Sequence, residues 1–201
     1  MIGNVLSAFL HDFLILFGMV NVIGNIPHIS AMTIDENPGQ KRRTFALGSL
    51  TAMCIILVFA LSGNFLLISL FDVSFSSFKI AGGIVVFIVS MRGVVLGPIH
   101  AMPPLKKGSP EYSFMSVAFP FLVGPGTMVT GILLMQGSGK LHTSLVTLAV
   151  YASAFLILLA IPVIEKIVGK VIMLLVSRIL YIFIAAKATT FIITGLKECF
   201  R

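Results

Sequence analysis

The chain has 201 residues, of which 58% are hydrophobic and 10% charged, and its mean hydropathy is +1.10. Soluble domains carry about 25% charged residues, so this composition excludes one and reads as an integral membrane protein. Fourteen Lys and Arg against seven Asp and Glu give a net charge of +7, but membrane-length apolar runs separate the basic residues, which excludes a continuous nucleic-acid surface.

A membrane-crossing helix needs about 20 mainly apolar residues. Six runs qualify, at roughly 5–32, 45–71, 75–97, 114–135, 143–164 and 171–196. The expected fold is an all-α membrane protein, one transmembrane domain over 1–201 with nothing left for a soluble part. The first run has no basic segment before it and is interrupted by Asp12, so it is expected to stay in the mature protein rather than be cleaved as a signal peptide. It contains Val-Asn-Val-Ile-Gly-Asn-Ile-Pro at 20–27. The separator Thr33–Arg43 carries the turn formers Asn37-Pro38-Gly39 and a Lys41-Arg42-Arg43 cluster; the second run holds Cys54. The third opens on Gly82-Gly83 and carries Arg92 near its end, before a separator over 97–113 with Pro103-Pro104, Lys106 and Lys107. The fourth contains Pro-Phe-Leu-Val-Gly-Pro-Gly-Thr at 120–127, and the sixth holds Lys187.

Cytoplasmic loops retain Lys and Arg. One side receives Lys41, Arg42, Arg43, Lys106, Lys107, Lys166, Lys170 and Arg178, the other Lys79, Lys140, Lys197 and Arg201. Both termini are therefore expected outside.

Gly124 stands 100 positions after Gly24, each within the first run of a three-run half. Three intervening crossings invert the second half, so the six helices form a 3+3 inverted repeat, halves about 1–100 and 101–201, with the first and fourth helices interrupted. Transporter folds place their sites where two such helices meet near the midplane. Glycine lets the backbone leave helical geometry and proline removes a donor; exposed backbone at that depth survives only inside protein or beside an aqueous cavity. The candidate substrate-binding residues are accordingly Asn21, Gly24, Asn25, Pro27, Pro120, Gly124, Pro125, Gly126 and Thr127, suited to a neutral or zwitterionic solute. Packing kinks are the competing reading, since Gly and Pro are common in membrane helices.

These two segments, N-x-x-G-N-x-P (Asn21, Gly24, Asn25, Pro27) and P-x-x-x-G-P-G-T (Pro120, Gly124, Pro125, Gly126, Thr127), resemble the signatures of MarC-type membrane proteins. The Lys41-Arg42-Arg43 cluster, Gly82-Gly83 and Arg92 are similar too. The resemblance implies a six-helix, multi-pass protein of the bacterial inner membrane, grouped with LysE-like exporters of amino acids and other small solutes. Val22 stands where the family usually has Pro, Tyr181 where it tends to have a small residue, and Thr190 near an expected amide.

A Lys at a helix centre costs about 2.5–3.5 kcal/mol on insertion scales. Lys187 is either a cation in the cavity, attracting a carboxylate or paired with Asp12, or a snorkelling side chain. Asp12 is the other candidate for charge coupling. Arg92 is expected to snorkel, and Gly93 and Gly97 have helix-approach spacing. His11, His28, His100 and His142 lie in no metal spacing and are expected in loops or at interfaces; Cys54 and Cys199 are expected to be inert packing residues. No G-x-S-x-G, H-E-x-x-H or phosphate loop is present, so neither enzyme chemistry nor a cofactor or metal is called for. The expected partners are the lipid bilayer, a small solute of unknown identity and a second copy of the chain. The leading function is a small-solute transporter or exporter; the alternative is a non-transporting membrane scaffold.

Overall fold

The computed structural model describes residues 2–96 and 109–200. Expectations placed on Gly97, His100, Pro103, Pro104, Lys106, Lys107 and Arg201 lie outside these residues. The described chain is helical: α1 (Ile2–Val20), α2 (Val22–Met32), α3 (Pro38–Asn64) followed by a π-helical segment (Phe65–Leu70), α4 (Phe75–Leu96), the short α5 (Pro110–Ser113) followed by a second π-helical segment (Phe114–Leu122), α6 (Pro125–Leu159), α7 (Ile161–Val168) and α8 (Lys170–Cys199). Among the described residues, five stretches are long and apolar enough to cross a membrane, Leu6–Met32, Pro38–Gly63, Phe75–Leu96, Gly126–Leu159 and Val171–Cys199.

Six spans were expected, and the difference has a local cause. The expected fourth run is split between the second π-helical segment and the start of α6, and the fifth continues α6 without a loop. Yet α6 is not straight. Gly139 has φ 79 and ψ 174, a region essentially closed to residues with a Cβ. A continuous helix would put residues 122 and 151 about 43 Å apart; instead the Tyr151 hydroxyl donates to the Leu122 carbonyl at 2.8 Å. The chain therefore doubles back at Gly139.

Local sequence explains the cleanest boundary. In Asn37-Pro38-Gly39-Gln40 the Asn37 side chain accepts from the Gln40 amide at 2.9 Å while Gln40 Oε1 accepts from the Asn37 amide at 3.1 Å, a reciprocal cap with proline at the first helical position. Packing sets α1 and α3 against α6, and α4 and α2 against α8. The larger core includes Leu16, Ile26, Ile56, Leu122, Val150 and Leu158. A second cluster joins Met19, Val86, Val129, Ala188 and Phe191. Val58, Ile88, Leu156 and Ile179 point outward, as lipid-facing side chains do. Cys54 is also exposed, as is Cys199, so neither packs in the interior as expected.

The most extensive helix contact among the described residues is α4 on α8. A Cβ on Gly83 would lie 2.9 Å from the Ala188 carbonyl, and one on Gly195 would lie 2.8 Å from the Ser76 carbonyl. Without an aqueous driving force between helices, such close van der Waals contact is what holds a membrane bundle together.

Candidate functional site

The first break is a single residue. Asn21 takes the left-handed conformation, φ 51 and ψ 40, which Asn tolerates better than other side-chain-bearing residues. Its amide folds over Gly24, where a Cβ would come within 2.4 Å of Asn21 Nδ2. Gly24 is thus needed for space. Its carbonyl accepts from the Ser177 hydroxyl at 2.5 Å.

The second break is longer. Within the π-helical segment Phe119 is extended, φ −118 and ψ 128, and Val123 and Gly124 are extended as well. Helix geometry resumes at Pro125, in the first position of α6, and the Thr127 hydroxyl closes that end: it accepts from the Gly124 amide at 2.9 Å and donates to the Gly124 carbonyl at 2.8 Å.

The breaks meet through Asn25. The Phe121 carbonyl would find its helical donor four residues on, but that residue is Pro125, which has no N–H. Asn25 Nδ2 supplies the donor at 2.7 Å and also reaches the Val20 carbonyl at 3.3 Å. Asn25 Oδ1 in turn accepts from the Tyr181 hydroxyl at 2.7 Å. The same hydroxyl lies 3.3 Å from His28 Nε2, and the His28 ring packs between Phe121 and Tyr181, with centroids 5.5 and 5.8 Å away.

A cavity of about 100 Å³ opens beside this junction. Asn21, Asn25, Gly124, Gly126 and Thr127 line it, so five of the nine residues singled out from sequence share one wall. Gly24 lies behind Asn21. Pro27 faces a separate cleft beside Ser30, whose hydroxyl donates to Glu165. Pro120 falls in the second π-helical segment and Pro125 at the start of α6; both shape the break. The rest of the wall includes His28, Ser90, Gly93 and Tyr181.

His28 is 3% exposed, so its expected loop or interfacial placement is corrected: it lies one turn past Asn25, on the same helix face. His142 lies beside the turn at Gly139 and is half-buried. Its Nε2 lies 3.0 Å from Asp12 Oδ2, and the Ser138 hydroxyl donates to that oxygen at 2.9 Å. His11 flanks the other carboxylate oxygen at 3.2 Å. Asp12 thereby fastens α1 to the turn at Gly139. Lys187 stands elsewhere, its Nζ 5.7 Å from the centroid of the Phe191 ring, and it lines a second chamber that shares Met19, Asn21 and Ile184 with the first. Among the described residues no group of three His, Cys, Asp or Glu is arranged to hold a metal ion.

The family model described as MarC family integral membrane protein matches residues 6–200. The chain belongs to the MarC family. Among its MarC relatives, the UPF0056 membrane protein of Archaeoglobus fulgidus is 30% identical over 206 residues, covering 98% of this chain and 96% of the relative. The UPF0056 membrane protein YvbG of Bacillus subtilis is 27% identical over 96% of each chain. One from Buchnera aphidicola is 26% identical, over 95% of this chain and 93% of the relative. No solved structure matches. The MarC protein is an integral, multi-pass membrane protein with relatives in bacteria.

Proposed function

We propose that this MarC protein is a small-solute transporter of the cytoplasmic membrane whose binding site is the cavity between the two broken helices. The observation that carries the reading is the Asn25 bond to the Phe121 carbonyl: the two breaks complete each other's hydrogen bonding at the edge of a cavity that both line. Breaks that served packing alone have no need of that space. The turn at Gly139 converts the five apolar stretches into six crossings, with residues 110–138 as the fourth. Contacts at the ends of the halves support an inverted repeat. Asp12, in the first helix of one half, touches the turn at Gly139, and Tyr112, 100 positions later, donates to the Met32 carbonyl at 2.5 Å. The basic-loop bias places both termini outside. Gating at the broken helices gives the cavity alternate exits.

The test is accessibility from both faces. In a chain with Cys54 and Cys199 replaced, Ser90→Cys is nearly isosteric, and Ser90 is 2% exposed and on the cavity wall. Membrane-impermeant thiol reagents should reach it from each face of the membrane, in intact cells and in inverted vesicles. Inertness from both sides, in protein shown to be folded, rejects the transporter reading in favour of a scaffold.

A further inference from the structure

The solute's charge is written in the walls of the two chambers. No carboxylate lines either one, and Lys187 is the charged side chain present there among the described residues. Among the described residues no ion pair engages it; its ammonium faces the Phe191 ring. Between the chambers stands Asn21, 7% exposed, whose Nδ2 is a buried donor without an acceptor. Asn21 is also the residue that opens α2, while Gly124, Gly126 and Thr127 on the cavity wall belong to the opening turn of α6. The first N–H groups of a helix lack internal acceptors and carry its positive end. The start of α6, one orphan amide donor and one ammonium thus converge, each complementary to negative charge.

We propose that this site takes a small carboxylate anion with a short apolar body. The carboxylate sits at Asn21, beside the start of α6, and Lys187 draws it in from the adjoining chamber; the body rests on Val86, Val89, Phe121 and Ile184. A solute bearing an ammonium as well meets no carboxylate in either chamber among the described residues. This deepens the transporter reading and rests on it, narrowing the solute to a class without a positive group.

The probe is radiolabelled isovalerate, bound to the purified full-length chain in a scintillation-proximity assay and competed with isovaleramide, which lacks the charge, and leucine, which adds an ammonium. Saturable binding displaced by cold isovalerate and not by the other two is expected. Asn21→Asp keeps a residue that tolerates positive φ but puts a carboxylate where the donor stood; it should abolish binding. Lys187→Met should weaken binding about tenfold, equivalent to about 1.4 kcal/mol. Helicity and melting of each variant without probe establish folding. Absence of saturable isovalerate binding overturns the proposal, as does unchanged binding in folded Asn21→Asp. Displacement by leucine or isovaleramide also overturns it while leaving the transporter reading standing, which the Ser90→Cys labelling tests separately.

Discussion

Replacing Asn25 with Leu keeps the branching at Cγ and removes the junction between the breaks. Three interactions go: the donation to the Phe121 carbonyl at 2.7 Å, the longer one to Val20 at 3.3 Å, and the acceptance from Tyr181 at 2.7 Å. The Phe121 carbonyl has no helical substitute, because its donor position is Pro125, so its loss costs about 1–2 kcal/mol, within the range for a buried orphan. Tyr181 can fall back on His28, 3.3 Å away, which limits that term to about 0.6 kcal/mol, the average for side-chain bonds between membrane helices. The sum is about 1.6–2.6 kcal/mol. Tyr181→Phe alone should cost about 0.6 kcal/mol, and the double variant should show coupling of that size. Titration of the purified protein from mild micelles into SDS, followed by far-UV circular dichroism, measures both. A loss below about 0.5 kcal/mol for Asn25→Leu, the range of unremarkable substitutions, refutes the reasoning.

Two further predictions concern glycines. Gly139→Ala should destabilise by about 1–3 kcal/mol, since its φ of 79 with ψ 174 is strained for any Cβ, whereas Gly137→Ala, with open space around its Cβ position, should be neutral or gain up to about 1 kcal/mol; equal effects in the same unfolding titration contradict the chain reversal. Gly93→Ala places a Cβ 2.9 Å from the Tyr181 ring and should cost about 1–3 kcal/mol as overpacking; in a Tyr181→Ala background the cost should vanish, and its persistence there locates the clash elsewhere.

Much of this was legible in the sequence, because breakers are local chemistry. Asn21, Gly24, Asn25 and Pro27 announce a break whatever surrounds them, and so do Gly124, Pro125 and Gly126. The pairing of the two could be argued from their 100-residue spacing, but not that Asn25 would serve the carbonyl Pro125 leaves without a donor. His28 was readable in principle: positions 21, 25 and 28 fall at i, i+4 and i+7, which puts three polar side chains on one face of an apolar helix. Ser90 and Tyr181 carried no such signal. They come from α4 and α8, and only the packing of those helices brings them to the cavity. The Gly139 turn was hidden for the opposite reason: helical geometry persists almost to the glycine on either side, so a loop expected between two runs shrinks to one residue.

The close contact of α4 and α8 has a mechanical consequence. The Gly83 and Gly195 approaches lock these helices backbone to backbone, and the Lys79–Glu198 bond at 2.6 Å clasps one end of the pair. They come from opposite halves of the chain, and together they supply Val86, Ser90, Gly93, Tyr181 and Ile184 to the cavity. Sliding one past the other would drive side chains into carbonyls, so this pair is a keel. Travel belongs to the second break, where Phe119, Val123 and Gly124 are extended and no continuous helix resists bending. Half of the cavity is thus a fixed rail against which the other half swings, and the residues on the rail set what the moving side can close upon.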